Sequence, residues 1–102
     1  MTPNSRPEAE LEVQHQAAAQ RFVVTTPLGL ALCSYRRDRD TRGEVLVLHH
    51  TEVPPALEGR GIAAALVAAA LAWARSEGLR VRPLCSYVAA YMRRHPETLD
   101  LL

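Results

Sequence analysis

The chain has 102 residues, enough for one small hydrophobic core but not for two independent ones. Its hydrophobic fraction of 48% and charged fraction of 23% are ordinary for a folded domain, which excludes a disordered chain. The net charge of +1 gives no electrostatic reason to expect a nucleic-acid partner.

Cysteine content and hydropathy bear on the cellular compartment. Cys33 and Cys85 are too few for a disulfide scaffold, and the start of the chain, MTPNSRPEAE, lacks the apolar segment of a signal peptide. The longest uncharged apolar run, residues 61–74, is shorter than the ~20 residues that a membrane span needs. We therefore expect a cytoplasmic protein with no membrane partner.

All twelve basic residues are arginine, so no internal lysine is available for acylation.

The N-terminal part predicts a leader followed by a strand pair. Residues 1–9 show no periodicity, so we expect a flexible leader there and a single domain over residues 10–102. Apolar residues alternate with polar ones over 11–15 and follow in succession at 22–24. These two stretches, joined by the short connection QAAAQ, predict paired strands.

Two further strands are predicted in the middle of the chain. After the turn TPLG, the side chains of Ala31, Cys33 and Tyr35 share one face of a strand. The charged stretch RRDRDTRG, residues 36–43, is interpreted as a solvated hairpin loop in preference to a phosphate-binding patch. The apolar run in EVLVLHHTEV, residues 44–53, predicts a central strand buried on both faces.

The remaining elements are predicted to be helix, strand and helix. Two prolines end the central strand, and an alanine-rich helix over 61–77 stops at Gly78. A strand is predicted over 79–85, and Ser86 is a candidate N-cap of the second helix. Antiparallel strands followed by a helix, a strand and a helix, with a right-handed crossover that joins the last two strands, predict an α+β fold.

The entrance to the first helix has the composition of an anion site. The first amides of a helix lack internal partners, Gly59 and Gly61 leave them accessible, and Arg60 adds positive charge. A P-loop is excluded because Ile62 and Ala63 follow the second glycine, where Lys and Ser or Thr are needed. The dinucleotide pattern G-x-G-x-x-A is matched formally, but the next strand does not end in the acidic residue that this pattern requires.

The segments HTEVPPALEGRGIAAAL and VRPLCSYVAAYMRRHPE together resemble the GNAT superfamily of acyl-CoA N-acyltransferases, in particular a branch of very short GNAT-like proteins. The resemblance covers roughly residues 20–98 and implies a small GNAT-like fold whose strands before and after the first helix splay apart. Glu58 stands where the superfamily usually has Gln or Arg. The resemblance further implies that acetyl-CoA or coenzyme A binds; from the residues themselves we expect no metal ion. The implied coenzyme-binding residues are Val53, Gly59, Arg60, Gly61, Ile62 and Ala63.

Three side chains are candidates for catalysis. Acyl transfer to an amine needs a base, donors to the developing oxyanion and an acid for the departing thiolate. Cys85, next to a helix N-terminus, is a candidate acyl-accepting nucleophile or a small buried hydrophobe. Tyr91 resembles the superfamily's acid, although an aromatic residue at this helical spacing more often packs in the core. His50 and Glu52 share a strand face, so His50 is a candidate base or a surface histidine. His49 points to the opposite face, so the two histidines do not form a metal site.

Three functions fit this pattern. The first is an N-acetyltransferase acting on a small amine or on an amine of a protein. The second is a non-catalytic acyl-CoA-binding or sensor module, which suits the lack of room for the helical pair that larger GNAT enzymes carry between their first two strands. The third is a small interaction domain without a nucleotide ligand. The acceptor, the acyl length and the oligomeric state are left open, a homodimer being one option.

Overall fold

The computed structural model describes residues 11–102, so the predicted leader at residues 1–9 lies outside the described part. One five-stranded sheet, in the order β1-β2-β3-β4-β5, carries two helices. The strands are β1 (Gln14–Gln16), β2 (Arg21–Thr26), β3 (Gly29–Asp40), β4 (Gly43–Glu52) and β5 (Arg80–Pro83). The helices are α1 (Ile62–Ser76) and α2 (Ser86–Arg94). Short 3-10 turns occupy Ala17–Ala19, Pro55–Leu57 and Pro96–Leu101.

The sheet is mixed. Strands β1 to β4 are antiparallel neighbours in chain order, whereas β5 returns through α1 and pairs parallel to β4. Antiparallel neighbours need only short turns, while a parallel pair needs a crossover of the length that α1 supplies. The predicted α+β fold is therefore confirmed, although β1 is shorter than the strand predicted over 11–15.

The hydrophobic core lies between one face of the sheet and both helices. Ala31, Cys33 and Tyr35 of β3 are buried in it, on the shared face that the alternating pattern predicts. Leu48 of β4 and Leu66 of α1 are both fully buried in this core. Burying a leucine side chain stabilises a fold by about 1.5–3 kcal/mol, so these contacts hold α1 against the sheet.

The charged stretch predicted as a hairpin loop is mostly strand. Residues 36–40 continue β3 and pair with β4, and the turn is confined to Thr41 and Arg42. Across the pair, Arg37 donates to Glu44 at 2.9 Å. Opposite charges on facing strands stabilise their pairing, so the alternation of Arg and Asp extends the hairpin instead of opening it. The loop prediction was wrong for this reason.

Glycines bound the first helix, and a cysteine precedes the second. Gly61 is the N-cap of α1 and Gly78 follows its end, both in the left-handed region, with φ of 83° and 70°. Cys85, and not Ser86, is the N-cap of α2, so the prediction for Ser86 was wrong by one residue. Within residues 11–102, neither helix has the length and hydropathy needed to cross a membrane.

Candidate active site

A β-bulge near the end of β4 decides which side chains reach the helices. Tyr35 of β3 pairs with Leu48, and the preceding residue, Ser34, pairs with His50. His49 is therefore an extra residue of β4 without a partner position on β3. An extra residue moves the following side chains to the opposite face of the sheet. Regular alternation from the buried Leu48 would direct His50 towards the helices, but the bulge places Thr51 there instead.

Strands β4 and β5 separate beyond the bulge. Their register joins residues 45–48 to residues 80–83 and goes no further. The amides of Leu84 and Cys85 both donate to the carbonyl of Leu48, at 3.0 and 3.1 Å, and lead the chain into α2. The end of β4 therefore has no β5 partner in the described pairing. A free strand edge of this kind can hydrogen-bond an extended ligand.

The entrance to α1 exposes backbone amides. Gly59 and Gly61 have φ of 82° and 83°, and a Cβ atom on either would meet no atom within 4 Å. The positive φ, which L side chains rarely adopt, is the reason for glycine at both positions, since neighbouring atoms would leave room for a side chain. Among the residues that the structure describes, no side chain caps the first turn of α1, so its amides remain available to an anion.

A cavity of about 370 Å³ lies where the end of β4, the entrance to α1 and the start of α2 meet. Its volume falls within the range of small-ligand sites, which begins at roughly 300 Å³. Arg60 is exposed and is not among the lining residues. The other five residues implied for coenzyme binding all line the cavity: Val53, Gly59, Gly61, Ile62 and Ala63. The remaining lining residues are Thr51, Leu57, Glu58 and Tyr87.

Cys85 lies beside this cavity and is linked to it through Thr51. Its Sγ donates to Thr51 Oγ1 at 3.5 Å, and the Thr51 hydroxyl contacts Cys33 Sγ at 4.0 Å. Burial raises the pKa of the Cys85 thiol, but hydrogen bonds from Thr51 and from the amides of Val88 and Tyr87 outweigh it, so the pKa is lowered overall. Burial raises the pKa of Cys33 to about 11, so Cys33 stays a neutral thiol.

His50 lies on the face of the sheet opposite Thr51. It is exposed, and its Nε2 lies 3.2 Å from Oε1 of Glu52, on the strand face that the sequence predicts for both. The structure therefore places this imidazole across the sheet from the cavity. Within residues 11–102, no three His, Cys, Asp or Glu side chains are arranged to hold a metal ion.

Tyr91 lies one helical turn beyond Tyr87 on α2 and is not among the residues that line the cavity. Its ring stacks on that of His95, with centroids 4.0 Å apart. Burial, followed by the charges of Glu97 and Tyr87, raises the pKa of the Tyr91 phenol, which therefore stays protonated at neutral pH. The predicted role of Tyr91 stays a prediction, while Tyr87 is the tyrosine at the cavity.

Sequence reasoning did not single out Thr51, Leu57 or Tyr87. A signal for Tyr87 exists, because it follows the candidate Cys85 by two residues and therefore belongs to the same helical turn. No comparable signal exists for Thr51, since the stretch LHHTEV does not show which residue forms the bulge.

Comparison with known proteins assigns the family. A family model described as GCN5-related N-acetyl-transferase matches residues 21–101. Protein NATD1 from Homo sapiens is 42% identical over 52 residues, which are 51% of this chain and 46% of the human protein. NATD1 of Gallus gallus is also 42% identical over 52 residues, 51% of this chain and 47% of its own length. NATD1 of Xenopus tropicalis is 43% identical over 49 residues, 48% of this chain and 45% of its own.

The matched segments span about half of this chain and less than half of each NATD1 protein. The family model, by contrast, covers the whole sheet from β2 onwards and both helices. This agreement confirms the resemblance seen in the sequence, and the chain belongs to the GCN5-related N-acetyltransferase family.

Proposed function

We propose that this protein binds acetyl-CoA and transfers its acetyl group to an amine. One observation carries the proposal: the cavity brings together Val53 at the end of β4 with Gly59, Gly61, Ile62 and Ala63 at the entrance to α1. The four residues at the entrance to α1 present accessible backbone amides, and Val53 lies at the free edge of β4. The two halves of the cavity suit the two chemical parts of coenzyme A, a charged pyrophosphate and an extended pantetheine arm.

The entrance to α1 fits the pyrophosphate. The helix dipole and the uncapped first-turn amides favour an anion there, and no atom of residues 11–102 obstructs the approach to Gly59 or Gly61. Arg60, exposed beside these glycines, would add a positive charge at the rim. Glu58 also lines the cavity and opposes an anion, so we expect its carboxylate to turn away from the phosphates. We expect micromolar affinity overall, about 7–9 kcal/mol.

The gap between β4 and β5 suits the thioester. The free edge of β4 can hydrogen-bond the amide groups of pantetheine, which directs the arm towards Thr51 and Cys85. The backbone amides along this edge are candidate donors to the oxyanion that forms on the thioester carbonyl.

The acceptor amine would approach from the open face of the sheet, where His50 is paired with Glu52. His50 would take a proton from the ammonium, and the amine nitrogen would then attack the thioester carbonyl carbon. As the carbon–sulfur bond breaks, its electron pair leaves on the coenzyme thiolate, which takes a proton from a tyrosine. The nitrogen, which is cationic after the attack, loses its second proton through water to the tyrosinate, so the product amide is neutral and the tyrosine is restored. We favour Tyr87 as this donor because it lines the cavity, whereas Tyr91 does not.

Cys85 offers a second route for the acetyl group. Its thiolate would attack the thioester carbonyl carbon, release coenzyme A and carry the acetyl group until the amine attacks. Since the chain has no lysine, an acetylated internal peptide that contains Cys85 would be readily identified. Cys33 is fully buried and is not expected to accept the group.

Titration with acetyl-CoA, followed by turnover with a panel of amines and polyamines, tests the proposal. We expect amide shifts at residues 59–63, protection of Cys85 from iodoacetamide by coenzyme A, and slow alkylation of Cys33 in either state. Cys85→Ala should keep coenzyme affinity but slow acyl transfer tenfold or more, about 1.4 kcal/mol in the barrier. Undetectable binding at millimolar coenzyme A would overturn the proposal and would favour an interaction domain without a nucleotide ligand.

A non-catalytic acyl-CoA-binding module is the second candidate. Between β1 and β2 the structure has only four residues, the turn Ala17–Ala19 and Gln20, where larger GNAT enzymes carry the helical pair that forms an acceptor wall. Binding of acetyl-CoA without turnover of any amine in the panel would favour this module over the enzyme.

A further inference from the structure

We infer that Thr51 is the positioning residue for Cys85, and that the buried thiol of Cys33 donates a hydrogen bond to the Thr51 hydroxyl from the side away from Cys85. The catalytic meaning of this arrangement rests on the proposed function, because only acyl transfer gives Cys85 a reaction to perform. The arrangement itself concerns three side chains whose contacts can be tested without any substrate.

The Thr51 hydroxyl lies between two sulfur atoms. Cys85 Sγ is 3.5 Å from Thr51 Oγ1, and Cys33 Sγ is 4.0 Å from the same oxygen. A threonine hydroxyl has one proton to donate and can accept at its lone pairs. It therefore donates to only one of the two sulfurs at a time, and the protonation state of Cys85 decides which one.

With Cys85 as a thiol, its S–H donates to Thr51, and the hydroxyl proton points to Cys33. Once the proton of Cys85 has left to solvent, the thiolate can only accept, so the hydroxyl turns and donates to it. The S–H of Cys33 can then donate to the Thr51 oxygen. The result is a chain of donors that runs from Cys33 through Thr51 to the thiolate of Cys85.

Cys33 suits the far end of this chain because it keeps its proton. Its side chain is 0% exposed, and burial raises its pKa to about 11. A neutral thiol can donate, whereas a thiolate at this position would compete with Cys85 for the single Thr51 proton. The buried position of Cys33 thus serves both the core and the neighbouring site.

The other groups that face Cys85 do not rotate in this way. They are the amides of Tyr87 and Val88 at the start of α2 and the amide of Thr51 itself. The charged groups of β4, His50 and Glu52, lie on the opposite face of the sheet. Thr51 alone among these contacts can reorient with the charge of Cys85, and it also lines the cavity, so it holds the sulfur beside the expected thioester.

The test is the pH profile of iodoacetamide alkylation of Cys85 in the full chain, with peptide mass mapping to separate it from Cys33. Thr51→Val keeps the shape and removes the hydroxyl. We expect the alkylation midpoint to move to higher pH and the rate at neutral pH to fall about tenfold, since a hydrogen bond to a charged group is lost. Thr51→Ser should restore the wild-type profile.

A double-mutant cycle tests the role of Cys33. Cys33→Ala should slow alkylation of Cys85 about two- to threefold, because the hydroxyl loses its supporting donor, whereas Cys33→Ser should not. Thr51→Val combined with Cys33→Ala should be no slower than Thr51→Val alone, because Cys33 acts only through the hydroxyl. Val24→Ala, which truncates a buried side chain of β2 in the same core, controls for loss of packing and should leave the midpoint unchanged.

An unchanged alkylation profile in Thr51→Val, or additive effects in the double mutant, would overturn the inference. Should Thr51→Val fail to fold by circular dichroism, the Cys33→Ala and Cys33→Ser pair decides the question alone. Failure of the proposed function looks different: wild-type protein would show no acyl transfer, while the alkylation profile would still depend on Thr51. If transfer is observed, Thr51→Val should lower kcat with little change in the KM for acetyl-CoA.

Discussion

At the scale of single residues, the two tyrosines of α2 differ in their surroundings, because the one in the first turn of the helix reaches the cavity and the other does not. Tyr87 lines the cavity, whereas Tyr91, four residues later, stacks on His95. The two rings lie on neighbouring turns of one helix and differ in what surrounds them. In the proposed acyl transfer, the proton donor must reach the departing sulfur, so contact with the cavity is the property that matters.

We expect Tyr87→Phe to lower kcat for acyl transfer about ten- to a hundredfold with little change in coenzyme affinity, because it removes the donor and keeps the ring. Tyr91→Phe is the matched control, since it removes the same hydroxyl one turn away, and its rate should stay close to wild type. Steady-state kinetics of both variants check this. Impaired transfer in Tyr91→Phe beside a normal Tyr87→Phe would assign the acid to Tyr91, as the sequence resemblance implies.

At the scale of secondary-structure elements, α1 carries a left-handed glycine at each end. Gly61 and Gly78 have φ of 83° and 70°, and neither faces a packed neighbour. Both positions therefore favour glycine for the same reason, which is their positive φ. They differ in surroundings, because Gly61 lines the cavity and Gly78 lies beyond the other end of a 15-residue helix, which is about 22 Å long.

The two glycines allow backbone strain to be separated from ligand binding. Gly61→Val and Gly78→Val should each lower the free energy of unfolding by about 1–3 kcal/mol, because a β-branched residue is strained at positive φ. Only Gly61→Val should abolish coenzyme A binding, since its side chain would occupy space in front of the first-turn amides. Calorimetric titration and urea unfolding of both variants measure the two effects. Normal binding by Gly61→Val would place the anion site elsewhere.

At the scale of the whole molecule, ionic contacts join the far end of the β3–β4 hairpin to β5. Asp40, at the end of β3, accepts hydrogen bonds from Arg80 and, at 3.2 Å, from Arg82. The hydrogen bond from Arg80, followed by that from the amide of Arg42, lowers the pKa of Asp40 from its ordinary value of 3.8 to about 2. The first half of the chain is thereby connected to the strand that follows α1.

Asp40→Asn should make the protein less stable at neutral pH. A carboxyl group with a lowered pKa stabilises the fold above its unfolded pKa of about 3.8, and this stabilisation is lost as the pH falls towards 2. The difference in thermal midpoint between wild type and Asp40→Asn should therefore be largest near pH 7, become small near pH 2 and vanish below it. Asparagine can still accept from the amide of Arg42, so the turn is preserved.

Asp38→Asn is the matched control for this prediction. Asp38 lies on the same strand, and its carboxylate is 3.7 Å from Arg82, a longer contact on a more exposed side chain. Its substitution should change the thermal midpoint less than that of Asp40 at pH 7. An Asp40→Asn protein with wild-type stability throughout this pH range would show that the contact with Arg80 does not stabilise the fold.

Local patterns were sufficient to predict the fold and one half of the candidate site. The alternation at Ala31, Cys33 and Tyr35, the helix between Gly61 and Gly78 and the exposed glycine amides depend on interactions within a few residues of the chain. The charged stretch of residues 36–40 was wrongly predicted as a loop, because it is held as a strand by pairing with β4. Local composition does not show this pairing.

The sequence by itself determined the α+β order of elements, the family and the glycine-rich entrance to α1, because helix ends, strand periodicity and glycine conformation are local properties. Only the tertiary structure decided that Thr51 and not His50 faces Cys85, since the bulge depends on how β4 registers against β3. It also brought Cys33 to the same hydroxyl from 18 residues away in the chain. Contacts between distant segments follow from sheet register, and a shift of one residue in register exchanges the two faces of a strand.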